Sequence, residues 1–346
     1  MRRAQIAIVA LAAFACGDST APTRQGWPTA QPADVGVVAD SLNAADAHIV
    51  SELPNVNAFL VVRRGKLIFE KYYRGTTRST LNSTRSITKS VTSAMTGIAL
   101  QHGWIGSIDQ TLGELLPIYF DASVPAERKN ITVRQMLTMS SGLAYDSLAN
   151  YPIVGSWVTA FLKGPTIGPP GARFYYDSSN PHLLSAIISN QTGRSLGEIA
   201  EDELFGPLGI TSYNWLQDIE GFNVGSTSLD LQAQDMAKFG ELYRLDGVWE
   251  GRRILPQGWV TASTTPAFRS TNSEGGHATG YGYQWWTVEG YGTPIFAAVG
   301  YRQQWIIVAP EKELVVVIAS ESITPRAAER DHFHLFHRYV LAGLSN

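Results

Sequence analysis

The chain has 346 residues, of which 44% are hydrophobic and 16% are charged, and its formal net charge is −3. A chain this long and this apolar can bury a full-sized core, which excludes an intrinsically disordered protein. The small negative charge gives no electrostatic reason to expect nucleic acid or an anionic membrane surface as a partner.

The first residues are typical of an export signal. Two arginines precede an apolar run at residues 6–14, which is too short to span a bilayer comfortably. Cys16 is the only cysteine, and its surroundings resemble a bacterial lipoprotein signal, with departures from the usual residues just before it. We therefore predict a signal peptide at 1–15 and an exported, cell-envelope location. Cys16 is either the lipidated first residue or lies next to a simple cleavage site.

After the export signal, the chain alternates between strand and helix patterns. Residues 16–40 are predicted to be a linker and lead-in segment, and the β-rich runs at 58–62 and 67–73 are joined by a hairpin signal. From Ile87 the apolar residues recur at helical spacing, and His102-Gly103 is a plausible helix end. From there to about residue 274, Pro/Gly punctuation predicts mostly helix and loop.

Strand patterns return near the end of the chain, before a final predicted helix at 326–344. These strands are predicted at residues 281–288, 295–299, 304–309 and 314–320. Strands at both ends with helices between them predict an α/β (α+β) fold, in which both termini build one antiparallel sheet flanked by helices. We expect a single domain at 41–346, with an α/β part at 41–85 and 275–346 and a helical part at 86–274.

Ser86 and Lys89 are the strongest candidates for chemistry. They stand three residues apart at the predicted start of a buried helix, where residues at i and i+3 are surface neighbours. A serine is a poor nucleophile until a base takes its proton, and a desolvated lysine can be that base. Taken alone, the pair is more simply explained as a helix cap with an incidental lysine, so its context decides.

Residues 193–197 match G-x-S-x-G, the nucleophile elbow of α/β-hydrolases. That elbow needs a strand before the serine and a helix after it. Residues 183–190 instead predict a helix that ends at Gly193, and Ser195 with Glu198 forms a capping-box pattern. We therefore predict that Ser195 caps a helix rather than acting as a nucleophile.

Four separated stretches resemble the serine β-lactamase and penicillin-binding superfamily, in its broad esterase and amide-hydrolase branch. They occur in that family's order. Residues 83–90 resemble the start of the nucleophile helix, and residues 131–143 resemble an "IT-R-LLT-TSGL" segment. Residues 170–176 resemble the approach to the second motif, and residues 310–317 resemble a C-terminal strand pair. Within that superfamily, the residues around these motifs resemble those of 6-aminohexanoate-dimer hydrolase-like proteins. The resemblance implies a β-lactamase-like fold.

The resemblance also implies roles for three side chains. Ser86 would be the acylated nucleophile, and Lys89 and Tyr176 would handle protons. Lysine and tyrosine ordinarily titrate at about pH 10. The two groups would therefore titrate as a coupled pair, and which of them takes the Ser86 proton stays open. Tyr175 is an alternative in a shifted register, but the spacing from Phe174 favours Tyr176.

The remaining family motifs depart from the usual residues. Ser178 stands where many relatives carry the asparagine that contacts the substrate carbonyl, and residues 298–300 stand where relatives carry Lys-Thr-Gly or a His-x-Gly variant. The backbone N–H groups of Ser86 and of Tyr301, after Gly300, would form the oxyanion hole. The missing cation at Ala298 lowers the expectation of an efficient β-lactamase or D,D-peptidase.

The sequence therefore predicts an exported serine hydrolase that cleaves a small ester or amide without a cofactor. A β-lactamase or D,D-carboxypeptidase and a non-catalytic penicillin-sensor or peptidoglycan-binding lipoprotein are the alternatives. We expect no nucleic-acid partner, membrane attachment only through a lipid at Cys16, and no metal, because the histidines at 332, 334 and 337 read as surface or packing residues. Adjacent strand residues face opposite sides, so one of Trp285 and Trp286 is expected in the core, and whether the other lines the cleft stays open.

Overall fold

A predicted hairpin begins the central sheet. The computed structural model describes residues 26–145, 155–269, 277–321 and 331–345, so the predicted signal peptide and Cys16 lie outside the described residues. Strands Val56–Arg63 and Lys66–Tyr72 pair antiparallel, and the turn between them uses positive φ at Arg64 and Gly65. Positive φ at both turn residues matches the right-handed twist of the paired strands, which confirms the predicted hairpin.

The helices are mostly short, and the candidate catalytic side chains lie on one of them or just before the start of one. In chain order they are α1 (Ala39–Glu52), α2 (Ile87–Gln101), α3 (Leu112–Leu115), α4 (Val133–Leu137), α5 (Trp157–Lys163), α6 (Ser179–Thr192), α7 (Leu196–Ala200), α8 (Ala233–Arg244), α9 (Trp259–Thr264) and a C-terminal helix (Leu335–Leu341).

The strands form one large sheet and two small ones. They are β1 (Val56–Arg63), β2 (Lys66–Tyr72), β3 (Leu81–Ser83), β4 (Tyr213–Trp215), β5 (Leu229–Gln232), β6 (Val248–Trp249), β7 (Arg252–Arg253), β8 (Phe268–Arg269), β9 (Gly280–Tyr281), β10 (Trp286–Val288), β11 (Ile295–Gly300), β12 (Gln304–Ala309) and β13 (Leu314–Ser320).

The eight-stranded sheet has the order β2-β1-β13-β12-β11-β10-β9-β8, with every pair antiparallel. Strands from both ends of the chain therefore meet at its centre, as predicted, and the expected fold class is confirmed. All residues of β1, β12 and β13 are buried. A strand buried on both faces carries a nearly continuous apolar run, which explains why these strands lack clean alternation.

Two apolar cores cover the two faces of this sheet. One core includes side chains of α2, α6 and α8 together with alternate residues of the central strands, such as Leu60 and Val317. The other includes α1, the C-terminal helix and the opposite strand residues, such as Phe59 and Val316. The sheet is therefore the middle layer of three, and α2 lies on its first face.

The structure departs from two sequence predictions. The strand predicted at 281–288 is two short strands, β9 and β10, because Gln284 takes a positive φ of 62° that a continuing strand does not allow. The region predicted as mostly helix and loop also contains β4 to β8, and β5 pairs with β3 and β4. Strands of two to four residues give too short an alternation to be recognised.

Candidate active site

The turn that ends at Ser86 is held by both the backbone and a side chain. Thr84 donates from its N–H and from its hydroxyl to the carbonyl oxygen of Leu229, at 3.0 and 2.6 Å. Arg85 then takes a positive φ of 52°, which is costly for a residue with a Cβ. Ser86 follows as the N-cap of α2, with its hydroxyl partly exposed at the start of a buried helix.

Lys89 lies inside the protein with its amine at the hydroxyl of Ser86. Its exposed fraction is 2%, and its Nζ lies 3.1 Å from the Oγ of Ser86. The same Nζ donates to the backbone carbonyl of Ser226 at 2.9 Å. A carbonyl oxygen and a hydroxyl fix the direction of the amine without neutralising it, which suits a group that exchanges a proton with serine.

Tyr176 approaches Lys89 from an aromatic cluster at the β9–β10 end of the sheet. Its ring centroid is 5.0 Å from Lys89 Nζ, and the ring stacks on Trp286 at 5.5 Å with an interplanar angle of 23°. Tyr281 meets the Tyr176 ring edge-on at 6.0 Å. Burial, with Tyr176 nearby, raises the pKa of Tyr281 well above its ordinary value, so Tyr281 remains a neutral phenol.

The two tyrosines that competed for this role have different surroundings. The backbone N–H of Tyr175 donates to the carbonyl of Met139 at 2.8 Å, which fixes the chain just before Tyr176. The ring that the structure places beside Lys89 is that of Tyr176. The geometry therefore favours the register in which Tyr176 handles a proton.

Gly300 presses the end of β11 against the turn that precedes Ser86. A Cβ built on Gly300 would lie 2.4 Å from the carbonyl oxygen of Thr84 and 3.1 Å from the Cβ of Arg85. Only glycine allows this approach, because a real Cβ contact is never that short. Tyr301 follows directly, so its backbone N–H lies next to this close contact. Its role as second oxyanion donor stays a prediction.

Ser178 belongs to the start of α6, two residues after Tyr176. It is the N-cap of that helix and is 9% exposed. Asp177 beside it is buried and accepts hydrogen bonds from the N–H and hydroxyl of Ser179. Burial raises the pKa of Asp177, and the bonds from Ser179 oppose that rise. The carboxyl thus fixes the helix start that carries Ser178.

Ser226, whose carbonyl accepts a hydrogen bond from Lys89, was not among the predicted site residues. Ser226 lies in a loop between β4 and β5 that passes between α2 and α6, and Thr92 of α2 donates to the carbonyl of Gly225 at 2.8 Å. A Cβ on Gly225 would lie 2.1 Å from the carbonyl oxygen of Pro181. A glycine among small polar residues was the only available sign, and it is common to many turns.

Several other candidates lie apart from this centre. Ser195 is the N-cap of α7 and forms a capping box with Glu198, as predicted, and the preceding element is α6 rather than a strand. Trp285 is buried in the core on the α2 side, whereas Trp286 touches Tyr176. His332 is buried between Ser320 and Asn55 at 3.1 Å from each, which makes it a packing histidine.

Within the part of the chain that the structure describes, no group of three or more His, Cys, Asp or Glu side chains could hold a metal ion. In the same part, no helix has both the length and the apolar character needed to cross a bilayer.

The chain also matches a known protein family. The Beta-lactamase family profile matches residues 53–338, which is most of the chain. The chain belongs to the beta-lactamase family. The family resemblance predicted from the four sequence stretches is thereby confirmed.

Two proteins with similar sequences have names that describe hydrolases, which supports the predicted class of enzyme. The chain is 26% identical over 183 residues to the 6-aminohexanoate-dimer hydrolase of Paenarthrobacter ureafaciens, covering 50% of this chain and 45% of that protein. It is 26% identical over 264 residues to the D-aminopeptidase of Cereibacter sphaeroides, covering 65% of this chain and 48% of that protein. The chain thus spans less than half the length of each relative.

Solved structures share the fold over a larger part of the chain. The octameric penicillin-binding protein homologue from Pyrococcus abyssi superposes with a TM-score of 0.66 at 20% identity, covering 88% of this chain and 78% of that chain. At this identity the likeness shows the fold alone. It supports the description of a β-lactamase-like sheet with flanking helices.

Proposed function

We propose that this protein is a serine hydrolase that cleaves a small ester or amide through an acyl-enzyme on Ser86. The observation that carries the proposal is the position of Lys89 Nζ, 3.1 Å from Ser86 Oγ inside the protein. Family membership and the named hydrolases among its relatives support the class of reaction. No cofactor takes part in the proposed reaction.

The proposed reaction has two balanced halves. Ser86 Oγ bonds to the substrate carbonyl carbon while its proton passes to Lys89 or Tyr176, and the carbonyl oxygen gains the negative charge. The carbonyl then re-forms as the bond to the alcohol or amine breaks, and the leaving group takes the proton. A water molecule repeats the attack on the acyl carbon, returns a proton to Ser86 Oγ and releases the acid.

The backbone around Ser86 suits the charge that develops on the carbonyl oxygen. The N–H of Ser86 stands at the N-terminus of α2, where the helix dipole favours negative charge. The end of β11 lies against the same turn through Gly300, which supports the N–H of Tyr301 as second donor. Removing one such donor costs about 10²–10³ in rate in a well-studied hydrolase.

An ester or amide is favoured over a β-lactam by the residues on β11. Ala298 occupies the position where family members carry a cation for the substrate carboxylate, and its side chain is buried in the core on the α2 side. A carboxylate there would have no lysine to pair with. Covalent capture of a fluorescent penicillin with rapid release would instead support the β-lactamase alternative.

The test is a panel of p-nitrophenyl esters and anilides with wild type, Ser86→Ala and Ser195→Ala. We expect Ser86→Ala to lose hydrolysis on every active substrate and Ser195→Ala to keep it. Equal rates for wild type and Ser86→Ala would refute the proposal. If both rates also equal the uncatalysed rate, a binding protein is the better explanation.

Export and lipidation at Cys16 remain proposals. They rest on the basic start and the short apolar run at 6–14. Cell fractionation of wild type and Cys16→Ala tests them. Both proteins should leave the cytoplasm, and only wild type should stay with the membrane fraction if Cys16 carries a lipid.

A further inference from the structure

A buried histidine and aspartate form a pair that the proposed chemistry does not use. His182 of α6 lies six residues after Tyr176, and its Nε2 is 3.0 Å from the Oδ2 of Asp218. Both side chains have an exposed fraction of 0%. The rings of Trp157 and Phe161 cover the imidazole at centroid distances of 5.2 and 5.6 Å. A polar pair buried this completely is costly to separate, because each group would lose its partner away from water.

Asp218 shapes the loop that follows it. Its Oδ1 accepts the N–H groups of Glu220 and Phe222, each at 2.9 Å, so one carboxylate both closes this turn and binds His182. The chain then runs back along α6, where the hydroxyl of Ser185 donates to the carbonyl of Asn223 at 2.7 Å. We call residues 218–226 the clamp segment.

The C-terminal end of the clamp segment is hydrogen-bonded to α2. Thr92 donates to the carbonyl of Gly225, and Lys89 Nζ donates to the carbonyl of Ser226. The clamp segment therefore joins the helix that follows Tyr176 to the helix that carries Lys89. The clamp segment packs tightly against α6 at Gly225, where a Cβ would lie 2.1 Å from the carbonyl oxygen of Pro181.

We propose that His182 and Asp218 are a positioning pair, which fixes the clamp segment so that the Ser226 carbonyl aims Lys89 Nζ at Ser86 Oγ. This inference rests on the proposed function. The pair touches no reacting atom and acts only through the clamp segment. A displacement of about 1 Å in a positioned catalytic group can cost about 10² in rate, so the loss of a remote hydrogen bond becomes measurable.

The first test compares two substitutions of His182. His182→Leu fills the volume without a donor, whereas the side-chain amide of His182→Gln still reaches toward Asp218. With p-nitrophenyl butyrate as the probe, we expect His182→Leu to lower kcat about 10–10²-fold, with KM changed less than about threefold, and His182→Gln to restore most of kcat.

His332→Leu is the matched control. It also replaces a buried, hydrogen-bonded histidine, but one on the opposite face of the sheet. It should lower stability and leave kcat within about twofold of wild type. A merely structural role for His182 predicts that the two leucine variants behave alike.

Amide hydrogen exchange supplies a readout that is independent of activity. His182→Leu should speed exchange in the clamp segment, and His332→Leu should not. Asp218→Asn keeps the volume and one acceptor oxygen, so it decides the question if His182→Leu does not fold; we expect it to lower kcat about three- to tenfold with KM unchanged.

The inference is overturned if His182→Leu, or Asp218→Asn in its place, keeps wild-type kcat, if exchange in the clamp segment does not change, or if His182→Gln is as slow as His182→Leu. Failure of the proposed function looks different, because Ser86→Ala would then match wild type. In that case the exchange measurement still decides whether the pair holds the clamp segment.

Discussion

The two faces of the central sheet are equally well buried, yet they bury different polar chemistry. On the α2 face, buried hydroxyls and an amine donate to backbone carbonyls of residues 225–229, and the contacts lie around Lys89 and Ser86. On the α1 face, the buried group His332 is hydrogen-bonded to Ser320 and Asn55, which joins the end of β13 to the residues just before β1. Buried polar contacts that converge on one serine hydroxyl are what we expect of a catalytic site, whereas contacts that only join two elements indicate a structural role.

The largest expected effect comes from removing the amine on the α2 face. Lys89→Met keeps about the length of the side chain and removes the amine. It leaves no carboxylate partner behind, since the amine contacts a hydroxyl and a backbone carbonyl, so the fold should survive. The rate should fall about 10²–10⁴-fold, because methionine cannot exchange a proton with Ser86 Oγ or with Tyr176.

The measurement is kcat/KM on the best p-nitrophenyl ester, beside the melting temperature. Lys66→Met is the control, since Lys66 is exposed on β2. A Lys89→Met enzyme within tenfold of wild type would remove Lys89 from the mechanism.

The next effect separates the two adjacent tyrosines. Tyr176→Phe keeps the ring that stacks on Trp286 and removes only the hydroxyl, so the fold should be unchanged and the rate should fall about 10²-fold or more. Tyr175→Phe should remain close to wild type. Reversed results in the same ester assay would favour the shifted register.

Gly300→Ala tests the contact between β11 and the nucleophile turn. The added Cβ would lie 2.4 Å from the carbonyl of Thr84, so the strand end must move away from Ser86. We expect kcat to fall about 10–10²-fold through the displaced oxyanion donor. Stability should fall by about 1–3 kcal/mol through overpacking.

Gly106→Ala is the control for this clash, because its methyl would meet only the flexible side chain of Gln110, at 3.3 Å. It should change neither kcat nor urea-unfolding stability appreciably. Wild-type kcat in Gly300→Ala would show that the β11 end takes no part in the reaction.

On the α1 face, His332 should affect the pH dependence of stability and not the activity. Burial, with His334 nearby, lowers the pKa of His332 from its ordinary 6.5 to about 4. In the unfolded chain this histidine binds a proton below about pH 6.5, whereas in the folded protein it does so only below about pH 4. The contribution of His332 to the free energy of unfolding is therefore complete above pH 6.5 and is lost as the pH falls from 6.5 to 4.

Urea unfolding at pH 7.5 and 4.5 measures this loss. Wild type should lose on the order of 2–3 kcal/mol more than His332→Leu over that interval. Parallel losses in the two proteins would show that His332 is not the group responsible.

The smallest effect is expected at Ser195, the serine of the G-x-S-x-G pattern. Ser195→Ala removes the cap of α7 and should cost about 1 kcal/mol in unfolding free energy. Activity should be unchanged, since the hydroxyl serves Glu198 and its own helix.

The sequence predicted the elements with strong local patterns. Helix α2, the first hairpin and the pair β12–β13 were recognisable because periodicity and turn residues determine them locally. The pairing of Ser86 with Lys89 was predictable from helical spacing for the same reason. The approach of Tyr176 came from family resemblance, since nothing in the spacing alone brings residue 176 to residue 89.

The rest depended on contacts between distant parts of the chain. The Ser226 carbonyl is a backbone group 137 residues from Lys89, and a backbone acceptor leaves no residue type to recognise. The positive φ at Arg85 could not be predicted either, because arginine has no preference for that conformation. The short strands β4 to β8 are defined by hydrogen bonds to neighbouring strands and not by a local sequence pattern.

The most direct test of the account is the identity of the residue that reacts with a fluorophosphonate. Purified protein is labelled briefly, digested and mapped by mass spectrometry, with Ser86→Ala and Ser195→Ala treated in parallel. The account predicts one modified side chain, Ser86, whose label is lost in Ser86→Ala and kept in Ser195→Ala. Modification of Ser195, or no modification under conditions that label a control serine hydrolase, would contradict it.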